Sequence, residues 1–568
     1  MRPSRSAYLR FVLLALPLAP CLAQDPARID QIVRSYVDAH TFMGTVLVAR
    51  GSQVLFSRGY GSANLEWDVP NTPNTKFRLG SITKQFTAAS ILLLEERGKL
   101  SVNDPVKKYL PDAPAAWDKI TIFNLLTHTS GIPNFTSFPD YAKLEPFSTT
   151  AEQLVGRFRD RPLDFEPGTS WNYSNSGYVL LGYLIERISG VSYETFVRDN
   201  IFTPLGMKDS GYDSNTAIIL HRAAGYVYAG NHFENSSFVH MTVPHGAGAL
   251  YSTTEDLLKW VQGLFGGKLL QPASLDKMTT PFKSNYAFGL TVDSTRGHKV
   301  IEHGGGINGF NTDLAYYPED KLTVVALSNV NGSAPNEIAA KLAALSHGKI
   351  VTLPSERKEV PLDSAVLARN VGAYRASTGV TMLVTQEGRQ LFFKLANQPP
   401  NPIFPESPMV FFSKTVDAEV EFSNNDSRRR PTLVTLHQNG RDLPATRLSD
   451  AEAMPLFDVA SAFAKRLKDQ TPVAGGEAAL RQTIEGVRTG APNYALMSPS
   501  VAQMTRRQLP QLQAEVVPLG ALQSLTFKGV GPGGADVYLA TFEKGALEYR
   551  IWLTPDGKID NLNSRKPQ

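Results

Sequence analysis

Between Phe77 and Leu100 the chain reads FRLGSITKQFTAASILLLEERGKL. Ile82, Phe86, Ala89 and Leu93 keep helical spacing, and Ile91, Leu92 and Leu94 make most of the remaining face apolar too. A helix that is apolar nearly all round has no solvent side, so other elements must cover every face of it. Only a domain with a sizeable core can do that. The chain has 568 residues, 42% hydrophobic and 19% charged, which is globular composition and length enough for roughly three or four domains. Two residues at the head of this helix do not fit a core: Ser81, and Lys84 one turn later. A buried lysine is costly unless it has partners.

The texture changes along the chain. From about Asp25 to Gly348 helices and strands mix. TVLVARGSQVLFSRG (Thr45 to Gly59) is two β-rich runs joined by Gly51-Ser52, a hairpin signal, and LTVVALSNV (Leu322 to Val330) is another buried strand. Strands at both ends with helices between predict an α/β (α+β) domain over 24–352: one antiparallel sheet flanked by helices, with a helical insert. The charged LPSERKEVPLD (353–363) reads as a linker. Alternating runs and Gly/Asn turns over 364–450 predict a small β-barrel-like domain. Helical text around Leu456 to Gly490, then the strands LQSLTFKGV, ADVYLATFE and ALEYRIWLT with a Pro555-Asp556-Gly557 turn, predicts a small α+β domain over 451–568.

The first 23 residues read as a secretory signal: Arg2, Arg5 and Arg10 precede a short apolar run from Phe11 to Ala19, and cleavage after Ala23 fits the small residues there. The chain is then secreted, periplasmic or extracellular. Cys21 is the single cysteine; Leu18-Ala19-Pro20 before it gives a weak lipid-attachment site, since Pro20 fits such a site poorly. Formal net charge is +4, and loss of the three leader arginines leaves the remainder nearly neutral, with no basic stripe for nucleic acid. No later run of 18 apolar residues predicts a transmembrane helix. No Gly-x-Ser-x-Gly occurs, and the ten histidines form no His-Glu-x-x-His, so neither an α/β-hydrolase nor a metal hydrolase is indicated and no cofactor is expected.

Three short patterns carry chemistry. Ser81-x-x-Lys84 opens the apolar helix, where free N–H groups and the dipole would stabilise an alkoxide and a desolvated lysine could act as base. The same spacing recurs at Ser274–Lys277 and Ser355–Lys358, neither at the head of a long apolar helix. Tyr173-Ser174-Asn175 lies in the polar loop EPGTSWNYSNSG; a tyrosine there can shuttle a proton, and an asparagine can hold a carbonyl or the lysine. His303-Gly304-Gly305-Gly306 could present N–H groups to an oxyanion and an imidazole to a carboxylate or a proton. Taken singly, each also fits a plain cap with a snorkelling lysine, a packed turn, or a Gly-rich turn between strands.

In this order the three resemble the serine β-lactamase and penicillin-binding protein superfamily, the branch of class C β-lactamases, D,D-peptidases, D-aminopeptidases and related esterases. The phrases FRLGSITKQFTA, ITIFNLLTHTSGIPNF, FEPGTSWNYSNSGYVLLG, GAGALYSTTEDLLKW and HGGGINGFNTDLAYYP agree. The resemblance spans roughly Ile29 to Ser346. It implies Ser81 as the acylated nucleophile, Lys84 as its activator, and Tyr173 as base in acylation and acid toward the leaving group. It implies Asn175, His303 and Gly305 as substrate-binding residues, and the backbone N–H groups of Ser81 and Gly306 as the oxyanion hole. His-Gly-Gly stands where many members have Lys-Thr-Gly, which speaks against efficient class C β-lactamase activity. The function so implied is hydrolysis, through an acyl-enzyme, of a small amide or ester such as a D-amino-acid peptide, amide or ester, or a peptidoglycan-like peptide. The alternatives are a β-lactamase and, from another class, a non-catalytic peptidoglycan- or partner-binding protein.

Overall fold

The computed structural model describes residues 25–566 apart from 396–397, 399, 415, 417, 424–428, 439–440, 532–533 and 555. The leader at 1–23, Cys21 and Pro555 lie outside the described residues. The chain divides into two compact units, one running through Arg357 and including Gln438–Asp442, the other comprising Lys358–His437 and Leu443–Gln568.

The first unit is built on a six-stranded antiparallel sheet of β1 (Gly44–Arg50), β2 (Gln53–Tyr60), β3 (Thr291–Thr295), β4 (His298–Ile307), β5 (Phe310–Tyr317) and β6 (Leu322–Ser328), in the order β3-β4-β5-β6-β1-β2. The first and last strands in sequence lie side by side, Gly44 opposite Ser328 and Arg50 opposite Leu322, as strand runs at both ends of the region predict. Gly51 turns the β1–β2 hairpin at φ +59°, a position that favours glycine. β1 and β6 are buried along almost their whole length because both faces of the sheet are covered. Val46, Val48, Val324 and Ala326 face α1 (Pro26–Asp38) and the C-terminal helix of the unit, Ala334–Ser346. Leu47, Ala49, Val325 and Leu327 face α2 (Thr83–Glu96) and the rest of the helical insert.

α2 is buried from Thr83 to Leu94. Phe86, Ile91, Leu92 and Leu94 are each at most 2% exposed, and each contributes about 2 kcal/mol by leaving water. Its polar side chains are satisfied: Gln85 accepts from the Trp260 indole (2.8 Å), Thr87 donates to the Gly246 carbonyl (2.6 Å), and Ser90 donates to the Phe86 carbonyl (2.8 Å). The helix stops where Gly98 adopts φ +66°.

In the second unit eight strands from Gly372–Ala376 to Arg441–Arg447 close into a barrel, whose interior is filled by Tyr374, Met382, Phe393, Phe411, Val420 and Val434 among others. Three helices follow, Asp450–Asp469, Gly476–Thr489 and Pro499–Val516, then a four-stranded antiparallel sheet from Leu522 to Arg565. The third of these helices is absent from the sequence reading: Pro510 in its interior reads as a breaker. Among the described residues no helix is long and apolar enough to cross a membrane.

Candidate active site

Ser81 does not cap α2 with its side chain. It sits in a tight 3-10 turn, Gly80–Ile82, just before the helix, and makes no capping hydrogen bond. The turn is pinned on two sides: Leu79 N–H donates to the Leu250 carbonyl (2.8 Å), and Thr312 Oγ1 of β5 donates to the Leu79 carbonyl (2.8 Å). Only glycine allows this approach. A Cβ on Gly305 would lie 1.9 Å from the Leu79 oxygen, and one on Gly80 (φ +54°) would lie 2.8 Å from the Gly306 nitrogen.

Lys84 is fully buried. Its Nζ lies 2.8 Å from Ser81 Oγ, 2.9 Å from Asn175 Oδ1 and 2.8 Å from the Ala247 carbonyl. No carboxylate is among these partners, and burial holds its pKa well below the usual lysine value. A neutral amine has two N–H groups and one lone pair. The Asn175 and Ala247 oxygens can only accept, so they take the two N–H groups and the lone pair is left for the Ser81 hydroxyl. Tyr173 Oη lies 2.9 Å from Ser81 Oγ. Burial raises the Tyr173 pKa, so the phenol keeps its proton and donates to Ser81. With Lys84 neutral, Tyr173 O–H, Ser81 O–H and the Lys84 nitrogen form one directed chain. Asn175 opens the helix Asn175–Ser189 and is oriented by Thr136, which accepts from its Nδ2 (3.2 Å), and by Asn134, which accepts from its backbone N–H (3.1 Å).

The β4 edge forms the opposite wall. β3 pairs with β4 only as far as Glu302, so the outer edge of β4 is open from His303 to Ile307. The β4–β5 hairpin closes with Ile307 opposite Phe310. Antiparallel alternation then turns the N–H groups of Gly304 and Gly306 to the open edge and those of His303 and Gly305 into the sheet. Gly306 is exposed and Gly305 buried. Gly305, expected to touch substrate, therefore serves close packing on Leu79, while Gly306 presents its N–H beside the Ser81 turn.

His303 differs from expectation. An ordinary imidazole would gain charge near pH 6.5, but burial, reinforced by Lys84, pushes His303 down to about 3. Its Nδ1 lies 2.6 Å from the Gly304 carbonyl, which can only accept, so Nδ1 carries the proton. Nε2 then accepts from Tyr286 Oη at 3.0 Å.

Sequence reasoning missed a layer behind these groups. His128 (φ +58°) accepts from the Ser174 N–H at Nδ1 (3.2 Å), and its ring lies 4.3 Å from that of Tyr173 and 4.6 Å from that of Tyr286. Tyr178 donates to the Leu126 carbonyl (2.8 Å). Burial keeps His128 neutral and Tyr178 and Tyr286 protonated. His128 lies within the LLTHTSG phrase and Ala247 within GAGALYS, so both stood in segments already singled out. Tyr286 carries no local signal.

The Beta-lactamase family profile matches residues 29–349. The chain is 32% identical over 437 residues to penicillin-binding protein 4* of Bacillus subtilis, covering 72% of this chain and 96% of that protein. That is more of the chain than 29–349 accounts for, so the likeness continues into the second unit. It is 30% identical over 342 residues to the teichoic acid D-alanine hydrolase of Staphylococcus aureus, covering 56% of this chain and 80% of that one. Among solved structures it resembles the octameric penicillin-binding protein homologue from Pyrococcus abyssi, with a TM-score of 0.53 and 26% identity over 74% of this chain and all of that one.

Proposed function

The chain belongs to the Beta-lactamase family and is a serine hydrolase of the β-lactamase and penicillin-binding protein type, and from that premise we propose that it cleaves a small amide or ester, with a D-amino acid as the acyl part, through an acyl-enzyme on Ser81. One observation carries the reading: Ser81 Oγ lies between the buried Lys84 amine (2.8 Å) and the Tyr173 phenol (2.9 Å). Ser81 attacks the carbonyl carbon as its proton passes to Lys84. The oxygen of the tetrahedral intermediate lies between the N–H groups of Ser81 and Gly306. Tyr173 gives its proton to the leaving oxygen or nitrogen and regains one from the Lys84 ammonium. Water then attacks the ester carbonyl, its proton passes back through the same pair, and Ser81 leaves as the hydroxyl. The resemblance gives Tyr173 a base's part as well. In this reading Lys84 takes that part, supported by the lowered pKa of its buried amine and the raised pKa of the buried Tyr173 phenol, and Tyr173 serves as acid and relay.

The D-amino-acid preference rests on the relative that is named for D-alanine hydrolysis of teichoic acid. That relative and the penicillin-binding ones also support action outside the cytoplasm, as the leader-like start suggests. The test is labelling with a fluorescent acyl-phosphonate. The parent should label and Ser81→Ala should not; an unlabelled parent would leave a binding protein on this fold. Rapid nitrocefin turnover would redirect the substrate class to β-lactams.

A further inference from the structure

His303 is a close neighbour of Tyr173. Its ring centroid lies 6.3 Å from that of Tyr173, and Tyr173 is the group that protonates the leaving atom in the scheme above. A leaving group that reaches the Tyr173 hydroxyl therefore comes close to His303. Both ring nitrogens are already committed, Nδ1–H to the Gly304 carbonyl and Nε2 to the Tyr286 hydroxyl. The imidazole is buried, 7% exposed, and faces Lys84, Tyr173, His128 and Tyr286. None of these is a carboxylate that would favour a second proton on the ring. Arg78, three residues before Ser81, is held by the buried Asp213 (2.6 Å).

We propose that the site selects substrates whose leaving group carries no carboxylate, because the His303 side chain that lines its path has both nitrogens bound within the protein and offers neither a cation nor a free donor. The proposal rests on the serine hydrolase reading above. It narrows that reading to esters and amides of neutral or cationic alcohols and amines, and sets C-terminal D-amino acids aside as leaving groups. A carboxylate drawn past this wall would lose water without gaining a partner.

The experiment uses the full chain and two matched acetyl esters, 3-acetoxybenzamide and 3-acetoxybenzoate, which differ only in whether the leaving phenol bears a carboxamide or a carboxylate. At neutral pH kcat/KM for the amide form should exceed that for the carboxylate by about tenfold or more, the scale of one unpaired charge. His303→Lys should shrink or invert that ratio, and His303→Leu, which likewise offers neither a cation nor a donor, should preserve it. A parent ratio near one, or one favouring the carboxylate, overturns the proposal, and the latter would point to an outlying cation such as Lys283. A ratio that favours the amide equally in parent and His303→Lys overturns the assignment to His303. The parent ratio decides the main claim even if His303→Lys fails to fold. Absence of turnover on both esters together with absence of phosphonate labelling would instead reject the hydrolase reading itself.

Discussion

The pattern Ser-x-x-Lys occurs in two helical settings of the first unit, and the two have nothing in common beyond spacing. Ser81 and Lys84 lie in the 3-10 turn and first turn of α2; the lysine is fully buried, and its Nζ touches the serine at 2.8 Å. Ser274 and Lys277 lie in the short helix Pro272–Thr279; the serine is buried, while the lysine side chain is 47% exposed and paired with Glu95 at 2.9 Å. Spacing places both lysines one turn after a serine. Solvent and counter-charge decide the rest: Lys277 meets water and a carboxylate, whereas Lys84 meets only neutral acceptors. A base needs the second environment.

The comparison breaks most visibly at the serines. Ser81→Ala should remove phosphonate labelling and lower ester hydrolysis on the order of 10⁴-fold or more, while Ser274→Ala leaves both unchanged. Loss of labelling in a folded Ser274→Ala chain would reverse the choice of copy. The lysines come next. Lys84→Met should cost about 10³-fold in kcat with a small net change in thermal stability, since losing a buried amine offsets the Asn175 and Ala247 acceptors left without their donor. Lys277→Met should leave kcat alone and cost less than about 1 kcal/mol in unfolding free energy, as a partly exposed ion pair does.

Tyr173→Phe sharpens the picture further. As the acid toward the leaving group it should cost about 10²-fold on amides and clearly less on p-nitrophenyl esters, whose leaving group needs no proton. Equal losses on both would place Tyr173 elsewhere in the cycle. The pH profile tests burial itself. In the proposed mechanism Lys84 acts as the neutral amine, and its pKa is lowered by burial, so kcat/KM should fall as pH drops through that lowered value. It should level off well before the pH of about 10.4 at which an ordinary lysine titrates. A rate still climbing near that pH would mean that Lys84 is as solvated as Lys277. The smallest effect is expected from cutting the chain after Arg357, which leaves both Ser-x-x-Lys helices in place. Circular dichroism and labelling should show a folded, acylatable fragment, and a soluble but unlabelled one would mean that later residues complete the site.

Much of this architecture was legible beforehand. The pairing of terminal strands followed from β-rich runs at both ends of the first region, and the barrel from period-two alternation. Pro499–Val516 was not, because Pro510 obscures a helix that tertiary packing tolerates. In the site, Ser81, Lys84, Tyr173, Asn175 and Gly306 were each named and lie together. His128 and Tyr286 were not, because a ring buried behind Tyr173 looks in sequence like any core aromatic.

The sequence by itself determined which chemistry was possible: a serine and a lysine one turn apart at the head of a helix that had to be buried, and glycines where strand and turn had to touch. Those are local properties of spacing and side-chain size. Tertiary structure alone decided which way the pKa values of the site shift. Lys84 draws its partners from Asn175 and Ala247, which lie 91 and 163 residues away in sequence, and His303 is kept from gaining a charge by its burial, while a tyrosine and a carbonyl leave it no free nitrogen. Desolvation and hydrogen-bond partners are sums over everything packed around a group, and no stretch of neighbouring residues contains that sum.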